Sequence, residues 1–134
     1  MNTESVFIDS NVLLYWASDD ATKAPIAESI LAAGPILSVQ VLNEFVAVSR
    51  RKHKRPWDKI VAVLKSTHAL CPIIVPVSSE THELALRLAQ DARLSIYDAC
   101  IIAAAELAGC DVLYTEDLNH GQRIGRVTVR NPFA

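Results

Sequence analysis

A chain of 134 residues that is 51% apolar and 21% charged is long enough to bury one hydrophobic core, and it is too apolar to be a disordered tail. A single domain over residues 1–134 is the expectation. The net charge of −2 excludes a polyanion binder that works by overall basicity, and 6% aromatic residues argue against a sheet that reads nucleic acid by stacking bases. Cys71, Cys100 and Cys110 form an odd set without a C-x-x-C pair, as in a reducing compartment, and the four histidines share no zinc spacing with them. Met1-Asn2-Thr3-Glu4 has no leader character, and no apolar run approaches the ~20 residues of a membrane span. A cytoplasmic protein without a membrane segment is expected.

In chain order, Val6-Phe7-Ile8 and Ile36-Leu37-Ser38 are apolar runs that predict strands. Between them, Gly34 suits a helix stop. Pro56 suits a first helical position, followed by Trp57, Ile60, Val61 and Leu64 at helical spacing. Ile73-Ile74-Val75 predicts a third strand. Leu84, Ala85, Leu88 and Ala92 make another helical stripe, and residues 96–108 are apolar nearly all round, as in a buried helix that Gly109 ends. Val112-Leu113-Tyr114 and Val127-Thr128-Val129 complete the set. Strands apolar on both faces and separated by helices predict a parallel α/β sheet, whose ligands gather beyond the carboxyl ends of its strands.

Four acids stand out from their neighbours. Asp9 directly follows the first strand, and Asp117 lies just past the fourth. Asp98 begins the buried helix, and Glu44 shares a helix face with Val41 and Val48. Parallel topology would draw all four towards one sheet edge. Each also has a structural reading. Asp9 suits a helix N-cap, and Ser95-Ile96-Tyr97-Asp98 has capping-box spacing. Asp117 suits a turn cap before Leu118, and Glu44 suits a pairing with a basic side chain.

Together, four carboxylates in a cleft would repel one another unless a positive charge sits among them. Oxygen-only ligands favour Mg²⁺ or Mn²⁺ over zinc. Such a site lets a phosphodiester enter and activates water for in-line attack on phosphorus, with one carboxylate as general base. No Ser-His-Asp or Cys-His set and no G-x-x-x-x-G-K-[ST] loop offers a competing chemistry.

These segments also resemble a known family. Phe7-Ile8-Asp9-Ser10-Asn11-Val12-Leu13-Leu14-Tyr15, Val41-Leu42-Asn43-Glu44-Phe45, Leu94-Ser95-Ile96-Tyr97-Asp98-Ala99 and Tyr114-Thr115-Glu116-Asp117-Leu118-Asn119-His120-Gly121-Gln122 are similar, in order and spacing, to the four acidic motifs of PIN domains. The ending Val129-Arg130-Asn131-Pro132-Phe133 is similar to that of stand-alone bacterial members. The nearest group is the VapC-like toxins of type II toxin-antitoxin pairs. The resemblance implies a five-stranded parallel sheet of order 3-2-1-4-5 flanked by helices, and endonucleolytic RNA cleavage with Mg²⁺ or Mn²⁺. It also implies a homodimer and a cognate antitoxin that blocks the acidic site. By position, Asp9 and Asp98 would be the principal metal ligands, and Glu44 and Asp117 would complete the site. Ser10, Asn11 and Thr115 would support the acids by hydrogen bonding. Ser10 stands where many relatives carry Thr, which keeps the hydroxyl.

Arg50, Arg51 and Lys52 open a basic run through Arg55 that suits RNA backbone contact, or equally a solvated helix end. His120 and Gln122 suit a place near substrate or an ordinary loop. Trp16 and Trp57 suit core or interface positions. The alternative function is a non-catalytic PIN-like RNA- or protein-binding module, whose expected sign is loss of an acid. None is lost here. Aspartyl phosphatases want Asp at position 11, which is Asn, and a receiver domain wants an acid after the third strand, where Pro76-Val77-Ser78-Ser79 stands.

Overall fold

The first strand, β1 (Val6–Ile8), lies at the middle of the sheet, with its neighbours added on both sides. A computed structural model describes residues 4–134. After β1 come α1 (Ser10–Trp16), α2 (Lys23–Ala32), β2 (Leu37–Ser38), α3 (Val39–Arg51), α4 (Trp57–Leu70) and β3 (Ile74–Val75). The second half holds α5 (Ser79–Ala92), α6 (Ile96–Leu107), β4 (Val112–Tyr114), β5 (Arg123–Ile124) and β6 (Val127–Arg130). The leader-free reading of the N-terminus falls largely on Met1–Thr3, outside the described residues. No helix among the described residues is long and apolar enough to cross a membrane.

β1 pairs in parallel with β4, β4 with β6, and β2 with β3. The two groups meet where Ile8 N donates to Ile36 O (3.0 Å) and Ile36 N donates to Val6 O (2.9 Å). Read across that bridge, the parallel order is β3-β2-β1-β4-β6, broadly consistent with the expected 3-2-1-4-5, although the ladders form a four-stranded sheet β1-β4-β6-β5 and a separate β2-β3 pair. The sequence reading lacked β5, an edge strand antiparallel to β6 through a turn at Gly125-Arg126. Two residues are too few to show an alternation.

The order places a topological switch at β1, with β2 on one side and β4 on the other, where ligands of open α/β sheets collect. α6 packs against β2, β4 and β6 with α5 against it, and α1 packs against α2 and α3. The apolar all-round reading of α6 holds for Ala99 and residues 101–105, which are buried. Gly34 (φ +69°) and Gly109 (φ +77°) follow the C-caps of α2 and α6 in the left-handed conformation that stops a helix.

Two local expectations need correction. Pro56 is the N-cap of α4, one position before the first helical residue, with ψ 152° and its carbonyl accepting from Lys59 N and Ile60 N. The α4 stripe is also only half inside: Ile60 is buried, whereas Trp57 is 56% and Val61 45% exposed. Trp57 is therefore no core residue, and the Arg50 guanidinium lies 4.7 Å from its ring centroid. Trp16 does pack against the core. The three cysteines are unpaired, and burial raises all three thiols, Cys71 to about 11.

Candidate active site

The site begins where β1 ends. Asp9 is the N-cap of α1, so the structural reading of this residue is correct as far as it goes. Its Oδ1 accepts from Ser10 N at 2.7 Å and its Oδ2 from the Thr115 hydroxyl at 2.8 Å. Only 3% of Asp9 is exposed. That burial raises its pKa to about 7, against the lowering effect of the two hydrogen bonds, and the charges of Glu44 and Asp117 add to the rise.

Thr115 ties β4 to this arrangement. Its hydroxyl accepts from Asn11 Nδ2 (3.1 Å) and from Asp117 N (3.1 Å), so both lone pairs are used and its proton is left for Asp9. Asn11 Nδ2 also donates to Asp117 Oδ2 at 3.2 Å. These donor roles fix the amide orientation. They leave Asn11 Oδ1 buried with no hydrogen-bond partner among the described residues. From the first turn of α1, Ser10 Oγ donates to Glu44 Oε2 at 3.3 Å. Ser10, Asn11 and Thr115 thus each touch at least one of the four acids.

Ser95 caps α6 by accepting from Asp98 N at 3.1 Å, but the return bond of a full capping box is not made. The Asp98 carboxylate is therefore not used up in capping. Glu44, Asp98 and Asp117 line one cleft of about 880 Å³, with Ser10 and Asn11 on the same wall, while Asp9 sits beneath the surface. Burial is the main cause that raises Glu44 and Asp117, and the charge of Asp98 pushes both further. Ser10 pulls Glu44 back, and Asn11 and Lys52 pull Asp117 back.

The PIN domain family model matches residues 6–124. The chain belongs to the PIN domain family. No curated protein matches it by sequence. Among solved structures, this PIN domain is similar to a toxin-antitoxin complex from Klebsiella pneumoniae, with TM-score 0.72 and 21% identity over 96% of this chain and 98% of that one. It is also similar to VapC20 of Mycobacterium tuberculosis, a sarcin-ricin loop cleaving toxin, with TM-score 0.67 and 21% identity over 84% of this chain and 90% of that one. A DNA-bound VapBC from Salmonella typhimurium gives TM-score 0.71 and 15% identity over 97% of this chain and 99% of that one. At these identities the likeness is one of fold.

The basic run of the PIN domain divides. Arg51 and Lys52 line the cleft with His53, whereas Arg50 turns away to Trp57 and donates to Arg55 O. Helical phase carries that signal: Arg51 is seven residues after Glu44 and shares its face, and Arg50 does not. His120 lies outside the cleft, its Nδ1 accepting from Asn131 N at 3.0 Å. Gln122 is likewise no part of the cleft lining.

Other cleft residues escaped the sequence reading. Glu116 and Asp20 are further acids on the wall, and Glu116 is held by the Tyr15 hydroxyl and by Lys23 Nζ at 3.2 Å. Lys23 also donates to the Tyr15 hydroxyl at 3.0 Å, and Phe133 packs on the Tyr15 ring. These partners come from α1, α2, the loop after β4 and the C-terminal end, so no local pattern announces them. Gln40, Asn43 and Tyr97 also stand on the polar rim, and Tyr97 is 64% exposed.

Among the described residues, no three His, Cys, Asp or Glu side chains close into a ready-made metal cage. The donor set is all oxygen, Asp9, Glu44 and Asp117 are raised by burial and neighbouring charge, and Asn11 Oδ1 is an unused acceptor beside them. That chemistry fits a hydrated hard cation, which keeps several waters and takes only one or two carboxylates directly.

Proposed function

We propose that this PIN domain is a Mg²⁺- or Mn²⁺-dependent endoribonuclease and the toxin of a toxin-antitoxin pair. The observation that carries the reading is the buried Asp9 beneath a cleft lined by Glu44, Asp98 and Asp117, with burial raising Asp9, Glu44 and Asp117. Ionised carboxylates so placed disfavour the fold and any phosphate, and both penalties fall when positive charge is added. Asp9 and Asp98 would hold the principal ion, with Glu44 and Asp117 completing the site. When bound, the cation supplies the charge that lets a phosphodiester enter and makes the attacking water more acidic.

The chain's own groups do the rest. Thr115 and Ser10 hold Asp9 and Glu44 in place, and Asn11 fixes Asp117, so that the acids need not reorganise during reaction. Glu44, whose proton affinity is raised, takes the proton of the water that attacks phosphorus. The phosphorus–oxygen bond opposite the attack then breaks, and the departing ribose oxygen takes its proton from solvent water. Arg51 and Lys52 hold the neighbouring RNA backbone.

Likeness of fold to toxin-antitoxin complexes supports an antitoxin partner, and a homodimer is proposed from the resemblance of the motifs to VapC-like toxins. The test is cleavage of RNA by Asp98→Asn, which keeps the side-chain shape and removes the charge. Activity should fall at least about a hundredfold, with the far-ultraviolet circular dichroism unchanged. Undiminished turnover by a folded variant would contradict the reading and return the chain to a non-catalytic binding role.

A further inference from the structure

The acids do not account for the middle of the cleft. α1 and α3 pack side by side, and each presents one stripe to it: Asn11, Leu14 and Tyr15 from α1, and Glu44, Ala47, Val48 and Arg51 from α3. The chemistry changes along these stripes. Acidic and amide groups stand over the sheet edge, then come Leu14, Ala47 and Val48, and then Arg51 and Lys52, with Ser18 and Asp20 past the end of α1 also on the wall. Ala47 is exposed and Leu14 and Val48 are half-buried, so the apolar stretch is open and not closed over by packing. Neither Arg51 nor Lys52 forms an ion pair among the described residues. From Glu44 to Arg51 the helix advances roughly 10 Å.

An occupant matched to this order carries an anionic group at the acid end, once a cation is present, then an apolar body, then a second anionic group within reach of Arg51. A nucleic-acid strand repeats that order as phosphate, nucleoside, phosphate. A bare polyanion would gain nothing from the apolar interruption. We propose that Leu14, Ala47 and Val48 form a seat for one nucleoside next to the phosphodiester that is cut, with the adjoining phosphate on Arg51 and Lys52. The proposal rests on the nuclease reading and adds to it a base-binding subsite.

The test compares binding of two labelled probes by fluorescence anisotropy in Mg²⁺, read immediately after mixing. One is a short oligoribonucleotide of mixed sequence, and the other is the same sugar-phosphate chain without bases. The wild-type chain is expected to prefer the base-bearing probe about tenfold, the scale of burying one base on a protein surface. Ala47→Phe, which fills the seat from an exposed helical position, should cut the preference to within about twofold, while Ala47→Ser should keep it. Equal binding of both probes by the wild type would overturn the seat without any variant, as would a preference that survives Ala47→Phe. Cleavage of total RNA by the same preparation separates the two claims. Cleavage without base preference overturns the seat alone, and absence of both overturns the seat and the nuclease reading together.

Discussion

A carboxylate as deeply buried as Asp9 costs the fold stability whenever it is ionised without a counter-charge. Its folded pKa of about 7 lies above the ordinary 3.8, so the folded chain holds a proton that the unfolded chain has already released. Stability without metal is therefore greatest at the acid end of this interval. It should fall as pH rises from about 4 to about 7, by up to about 4 kcal/mol from Asp9 alone. Glu44 and Asp117 are shifted the same way. Urea denaturation in EDTA across this range should show the decline, and saturating Mg²⁺ should flatten it. Stability that holds level or rises in EDTA would contradict the electrostatic picture. Asp9, Glu44, Asp98 and Asp117 were legible because each acid sits against an apolar strand or helix face. The bonds that organise them were legible only in part. Ser10, Asn11 and Thr115 could be named from family resemblance, but that one Thr115 hydroxyl serves Asp9 and Asn11 as well as its near neighbour Asp117 depends on contacts 106 and 104 positions apart.

The five parallel strands could be read from short apolar runs that stand clear of the helical spacing around them; β1, β2 and β4 are buried on both faces as such runs suggest, whereas β3 is only half-buried and β6 alternates. β5 could not, since its pairing with β6 comes from the turn and not from its own residues. α4 shows the limit of periodicity from the other side. Trp57, Ile60, Val61 and Leu64 share a stripe, yet only Ile60 is fully inside, because the stripe is wider than the surface it meets. This difference has a measurable consequence. Ile60→Ala should cost about 2–5 kcal/mol in thermal or urea unfolding. Trp57→Ala gives up only exposed surface and the Arg50 stacking, and should cost less than about 1 kcal/mol. Equal costs would mean that Trp57 is covered in solution. At Asp98 the spacing suggested a capping box, and the hydrogen-bond count decides otherwise. Ser95 makes its half of the box, which leaves the carboxylate for the cleft.

Across the whole molecule, a net charge of −2 conceals a division within one cleft. The acids collect where β1 and β4 end, at the switch in strand order, and Arg51 and Lys52 stand at the far end of α3. Topology explains the first group, because parallel strands all deliver their following residues to one edge. Helical phase explains the second. The Lys23–Tyr15–Glu116 cluster belongs to neither pattern. It joins α1, α2 and the loop after β4, and only the folded chain brings those segments together. The proposed activity belongs to the whole molecule: this arrangement would cut RNA when a divalent cation is supplied. The measurement that meets it most directly is incubation of total cellular RNA with the purified chain in Mg²⁺ or Mn²⁺, beside an identical reaction in EDTA and one with Asp9→Asn. The account predicts discrete fragments that need the metal and disappear with the variant. Intact RNA in the presence of folded, metal-supplied protein, or fragments that persist with Asp9→Asn, would contradict it.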